Sequence, residues 1–406
     1  MAAFPASGHF LQSVREKTWQ TIDPGISIDK EAIRRLLVSP AFTTTFHRLS
    51  SVPIVSLPLN FASLAAEVNV ISILSLLNFG SGYRIPLRDA TGRGAWDNIR
   101  YLVLALYLGS PDGQGDPLSA KALKEIDVAQ VASLLNVNIH VEKAHPSLHG
   151  VTVGEMGGPL HEIVQLITTT LNETGDVLIQ QGYPDLGSFV LETFNHARGS
   201  VEVLLERLVR AIPGLRDMDV VDGKGTIVLP SLRYAPRLTF HSEIYIFKKA
   251  LFLIRSVSKR FASTSPAPFP IPDTENIPIM SDNVIPSMLV HLGVLDLAHA
   301  KFGALHSLFA PTNADSLLSA PLADGTLAVS PSPSLSAAEA YILRAAAITA
   351  CDEIVAVARE MELAEELKWI RTFSVPQIDM WLWGVAKDRP DYRSLPRFAQ
   401  IGTAFY

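Results

Sequence analysis

The chain has a single cysteine, Cys351, in 406 residues. One thiol excludes an intrachain disulfide framework and a cysteine-based zinc site. It also suits a reducing compartment, and the cytoplasm is the expected location. Charge is scarce, at 18% of residues against 48% hydrophobic, which excludes an intrinsically disordered chain. There is no basic excess: 34 Lys and Arg stand against 40 Asp and Glu, a net charge of −6. A duplex-binding surface needs that excess, so no stable nucleic-acid partner is expected. Long apolar runs are missing too. The most apolar stretch, Val68 to Phe79, is about a dozen residues, and a membrane span needs about 20. The N-terminus lacks the basic start and apolar run of a secretory signal. No repeat of 20–50 residues is present.

Common chemical motifs are also missing. There is no P-loop, no GxGxxG after a strand, no HExxH and no GxSxG. The histidines are scattered. His145 and His149 are four apart, but Pro146 between them argues for a loop, and His291 reads as a satisfied core histidine. A metal enzyme is therefore disfavoured, and no cofactor is expected.

What remains is a hydrophobic chain, mean hydropathy +0.24, with a large buried core and a helical pattern. Asp29 is placed to cap a helix from Lys30 to Val38. Phe61 to Phe79 reads as a buried helix that Gly80, Ser81 and Gly82 stop. Further helices are expected at Trp96 to Leu108, Leu160 to Gln181 and Val201 to Ile212. Ser336 and Glu339 form a capping box for a helix reaching about Ile370. Another helix starts near Pro376. β signals are few: Asn138 to Val141 and Thr226 to Leu229. Two long loops stand out. Ala262 to Ser281 holds five prolines, and Ala310 to Ser334 is rich in Pro, Ser, Ala and Asp. No composition break splits the chain. The expectation is one mainly α domain over residues 1–406, with the first 25 or so flexible and a monomer favoured.

Three places carry chemistry. In Ile244 to Arg255, a helix would put Ile244, Phe247, Leu251 and Ile254 on one stripe, with Lys248 at its border and Lys249 on the opposite side. The ordinary reading is a lysine that snorkels to water; the functional one is a partly buried cation for a phosphate or carboxylate. Asp282 or Asn283 can simply cap the helix that starts near Pro286. A carboxylate held there after a long loop can also be a catalytic acid or nucleophile. Asp379 and Trp383, four apart, share a helix face. They read either as an aromatic core helix with a surface Asp, or as a carboxylate and an aromatic wall for a flat ligand. Such a set would suit N-glycosidic hydrolysis, whose oxocarbenium-like transition state a carboxylate stabilises or traps.

At these residues the sequence resembles the queuosine salvage proteins, the queuosine 5′-phosphate N-glycosylases. The stretches that carry the resemblance are LLNFGSGYR (Leu76 to Arg84), GRGAW (Gly92 to Trp96), LNETG (Leu171 to Gly175), FKKA (Phe247 to Ala250), SDNVIPSMLVHLG (Ser281 to Gly293), IDMWLW (Ile378 to Trp383) and Tyr406. They run from about residue 76 to the end. The resemblance implies a mainly helical fold similar to helix-hairpin-helix DNA glycosylases. It implies hydrolysis of queuosine 5′-monophosphate to queuine and ribose 5-phosphate, without metal or cofactor. The family's catalytic Asp falls on Asp282 and its Lys after Phe on Lys248. The ID/LD-x-x-L-W Asp falls on Asp379, the base-pocket residues on Met280 and Ser281, and an N-terminal His on His47. Asn78 and Met380 complete the expected substrate lining. The flat base would stack on Phe79, Tyr83 or Trp383. Its cationic amine would pair with Asp379, and Lys248, Arg84 and Arg397 are cations for the phosphate. Met280 stands where some relatives carry an aromatic, and Gly384 where some carry an acid. The alternatives are a glycosylase for another modified nucleotide or a polynucleotide, and a non-catalytic helical scaffold.

Overall fold

The computed structural model describes residues 2–52, 55, 59–109, 116–223, 240–320 and 331–406. It is mainly α-helical. The strands among the described residues form three two-stranded antiparallel pairs. Ser27–Ile28 pairs with Leu295–Asp296, His140–Ala144 with Thr152–Met156, and Met218–Gly223 with Phe240–Tyr245. The expected strand Thr226 to Leu229 lies outside the described residues, as does part of the loop Ala310 to Ser334. Among the described residues no single helix is long and apolar enough to cross a membrane.

The chain divides into two compact units. One comprises Met1–Ile54, Asp217–Leu251 and Asp273–Gln400; the other comprises Val55–Arg216, Phe252–Pro272 and Ile401–Tyr406. Their segments alternate along the chain.

The first unit is built on helix Ala337–Glu360. The capping box forms: the Ser336 side chain accepts the Glu339 N–H, and Glu339 accepts the Ser336 N–H. From Ala340 to Cys351 every residue of this helix is buried. Such all-round burial makes it the core onto which helices Lys30–Leu37, Val284–His291 and Val375–Asp388 pack. The helix ends at Glu360, short of the expected Ile370. Met361 is extended, and the chain resumes as a 3-10 helix over Glu365–Thr372. Glu360, Glu362, Glu365 and Glu366 would crowd the negative end of a longer helix. In the observed arrangement Glu365 and Glu366 sit in a first turn, where the dipole favours them.

Two further expectations differ from the structure of this unit. The first 25 residues form helices Phe10–Arg15 and Thr18–Ile22 rather than a flexible tail. Phe10 and Trp19 are fully buried, and the Trp19 indole N–H donates to Thr349 Oγ1 at 3.0 Å. Long-range packing fixes a segment whose own periodicity is weak. Ile244 to Arg255 is not one helix. A strand ends at Tyr245, Phe247 turns with a positive φ of 49°, and a helix starts at Lys248. Residues 244–247 are apolar and buried throughout, and a short apolar run does not distinguish helix from strand.

The second unit is also helical. Gly187, in helix Leu186–Ala197, lies against helix Leu64–Leu76. A Cβ there would come within 2.6 Å of the Ala65 carbonyl oxygen and the Asn69 amide nitrogen. Asn69 closes the joint, accepting the Gly187 N–H at 3.0 Å and donating to the Leu118 carbonyl at 3.1 Å.

Candidate active site

In the first unit, charged side chains from four separate segments are buried together. Asp217 precedes strand Met218–Gly223, Lys248 opens helix Lys248–Phe261, Arg344 lies inside helix Ala337–Glu360, and Asp379 lies on helix Val375–Asp388. Asp282 stands just ahead of helix Val284–His291.

Asp217 and Arg344 are the tightest pair. Both side chains are fully inaccessible. The Arg344 guanidinium forks onto the carboxylate, Nη1 to Oδ1 at 3.0 Å and Nη2 to Oδ2 at 2.5 Å. Breaking such a pair by deleting one member costs about 3–5 kcal/mol, because the other charge is left buried alone. Asp217 also accepts the Lys248 backbone N–H on Oδ2 at 3.3 Å. Its main-chain carbonyl takes the N–H groups of Ile246 and Phe247 at 3.0 and 3.1 Å. Arg344 Nε donates to the Ser281 carbonyl at 3.0 Å, and the Ser281 hydroxyl donates back to the Arg344 carbonyl at 3.0 Å. Neither Asp217 nor Arg344 was singled out by the sequence patterns. Arg344 had a signal, a lone charge in the apolar run Tyr341 to Cys351. Asp217 had none.

Lys248 is 5% exposed, so it does not snorkel. Burial pushes its ammonium down to about 8. The carboxylate of Asp282 pushes back most strongly, with help from Asp217 and Asp379, while Arg344 presses it further down. Lys249, expected on the opposite side, is buried as well. Burial and then the charge of Lys248 hold it well below the usual lysine range.

Asp282 is 7% exposed. Its Oδ1 accepts the N–H of Val284 at 2.7 Å and of Ile285 at 3.3 Å, so it caps the helix. Asp379 is buried rather than on the surface, and its Oδ2 accepts the Met280 N–H at 2.7 Å. Met280 and Ser281 are buried in the segment leading to Asp282. The structure thus brings together Lys248, Asp282 and Asp379 through their charges, and ties Met280 and Ser281 to the same cluster through hydrogen bonds.

The other expected site residues are placed as follows. Met380 is buried beside Asp379 in sequence. Trp383 is half-buried, and the Lys387 ammonium lies 3.1 Å from its ring centroid. Arg397 is buried, with Nη2 donating to the Ala386 carbonyl at 2.6 Å. His47 is exposed, with its ring 4.3 Å from that of Trp369. Asn78, Phe79, Tyr83 and Arg84 belong to the second unit. There, Phe79 is buried, and the Tyr83 hydroxyl accepts the Gly402 N–H at 2.9 Å. His291 is satisfied on both ring nitrogens, by Thr312 Oγ1 and the Pro396 carbonyl, each at 2.8 Å. Among the described residues no group of His, Cys, Asp and Glu is arranged to hold a metal ion.

A buried lysine whose ammonium is held down to about 8, with several carboxylates acting on it, is an arrangement that can stabilise or trade charge on a bound molecule. Compared with protein-family models and with curated proteins, the chain matches none of them.

Proposed function

We propose that the chain is an N-glycosidase that hydrolyses queuosine 5′-monophosphate and releases queuine, which then becomes available for insertion into tRNA. In this reading the bond between C1′ of the ribose and the base nitrogen breaks, and its electron pair leaves with the base, which takes up a proton. Water supplies the hydroxyl that ends on C1′. Asp282 faces the anomeric carbon as a carboxylate and stabilises the oxocarbenium charge or traps it briefly. Lys248 supplies a cation beside it, and Asp379 takes the cationic amine of the base. No metal or redox cofactor enters the step. A helix-hairpin-helix glycosylase-like arrangement and a cytoplasmic location go with the same reading.

The observation that carries it is the charge coupling of Asp282 and Asp379 to Lys248 inside one buried cluster. The three residues come from segments far apart in the chain, and each lies in a stretch that resembles the queuosine salvage family. The test is incubation with queuosine, its 5′-monophosphate and intact queuosine-containing tRNA, with products read by mass spectrometry. The expected result is free queuine from the monophosphate. Release from tRNA alone would favour a polynucleotide glycosylase.

A second reading has its own observation. The Asp282 carboxylate caps helix Val284–His291 through two N–H groups. A non-catalytic scaffold would use it for that alone, and no base would then be released from any of the three substrates.

A further inference from the structure

Asp217 and Arg344 join two parts of the candidate site that are remote in sequence. On one side the Asp217 carboxylate accepts the Lys248 N–H at the start of helix Lys248–Phe261, and the main-chain carbonyl of Asp217 takes the N–H groups of Ile246 and Phe247. On the other side Arg344 holds Ser281, the residue before Asp282, with a bond in each direction. The guanidinium–carboxylate fork closes the chain of contacts between the two, and both its side chains are inaccessible. Each link is a hydrogen bond with its own direction, and a two-point fork fixes angle as well as distance.

Building on the glycosidase reading above, we infer that Asp217 and Arg344 are positioning residues, a buried clamp that sets where Lys248 and Asp282 stand relative to one another. Stability alone is a poor reason for such a pair, because apolar residues of similar volume often replace a buried ion pair without loss. Catalysis is a better one, since a misplacement of about 1 Å can cost about 100-fold in rate.

The experiment compares the full chain with the double variant Asp217→Leu/Arg344→Met and with the single variant Arg344→Lys. Steady-state hydrolysis of queuosine 5′-monophosphate is measured alongside thermal melting. The double variant removes the fork and both charges together, leaving neither buried alone. Arg344→Lys keeps one positive charge and loses the fork. The expected result is a melting temperature near that of the wild type for the double variant, with kcat down about 100-fold and KM changed less than about threefold. Arg344→Lys should show the same split, and it decides the matter if the double variant does not fold. Addition of guanidinium ion to folded Arg344→Ala should restore part of the lost kcat without a matching rise in melting temperature, whereas a purely structural role would restore the two together. A folded variant of either kind with kcat within about threefold of wild type overturns the clamp. The wild type is assayed first: if it releases no queuine, the glycosidase reading fails, whereas an active wild type beside an equally active variant sinks only the clamp.

Discussion

The Asp379 carboxylate accepts the Met280 N–H at 2.7 Å, which ties helix Val375–Asp388 to the segment two residues ahead of Asp282. A charged acceptor on a buried amide is worth more than a neutral one, and removing it strands the N–H. Asp379→Asn keeps an acceptor oxygen and loses the charge. Its melting temperature should fall less than that of Asp379→Ala, while queuine binding weakens by roughly 2–5 kcal/mol, because in the proposed reaction the base amine loses its counter-charge. Asp379→Ala should lose both binding and stability. Calorimetric titration with queuine and a thermal melt of each variant check this. Equal queuine affinity in wild type and Asn variant would confine Asp379 to holding the Met280 segment.

Asp282 both caps a helix and, in the proposed reaction, faces the sugar. The two roles separate in Asp282→Asn, since Asn caps about as well as Asp. The expected outcome is an unchanged denaturation midpoint and no detectable base release. Activity within about tenfold of wild type would leave the cap as the only role.

How far these residues could be read from the sequence depended on how local their causes are. Asp29, Ser336 and Glu339 were legible because a cap is a contact within about three residues. Asp282 was legible as a residue but not as a choice between cap and catalyst, since the same carboxylate makes the cap. Burial of Lys248 was not legible. The stripe Ile244, Phe247, Leu251 and Ile254 fitted a helix, whereas Phe247 takes a left-handed turn that no pattern marked. Asp217 was invisible because every reason for its position lies more than twenty residues away, at Ile246 to Lys248 and at Arg344.

Trp19 shows the same long-range cause at the N-terminus. Its ring is buried and its N–H is spent on Thr349. Trp19→Ala should cost about 3–5 kcal/mol, as for other buried large-to-small changes. Trp19→Phe, which keeps most of the ring and loses the hydrogen bond, should cost less. Urea denaturation midpoints measure both, and a cost below about 1 kcal/mol for the Ala variant would return the first 25 residues to the status of a loose tail.

Gly187 tests the second unit by itself. An added methyl would meet backbone atoms of helix Leu64–Leu76 at 2.6 Å, and backbone yields less readily than a side chain. Gly187→Ala should therefore destabilise by about 1–3 kcal/mol despite the better helix propensity of Ala. A midpoint equal to or above wild type would mean that the two helices separate without cost.

Lys248 gives the pH test. Burial lowers its ammonium from 10.5 to about 8 in the folded chain. Below pH 8 folded and unfolded states both hold the proton, and the folded state bears the whole cost of burying the charge, about 3 kcal/mol. Between pH 8 and 10.5 the unfolded chain still binds a proton that the folded chain has released, so stability attributable to this group rises with pH. Above 10.5 neither state is charged and the cost is gone. Other groups titrate in the same range, so the measurement is a difference. The unfolding free energy of wild type minus that of Lys248→Met should climb by about 3 kcal/mol from pH 7.5 to 10.5. The same proton is read in catalysis: if the cation serves the reaction, kcat/KM should fall as pH passes about 8. A stability difference flat with pH would mean that the ammonium reaches water, or that the carboxylates of Asp282, Asp217 and Asp379 fully offset its burial. An alkaline limb displaced to pH 10 would point the same way from kinetics alone.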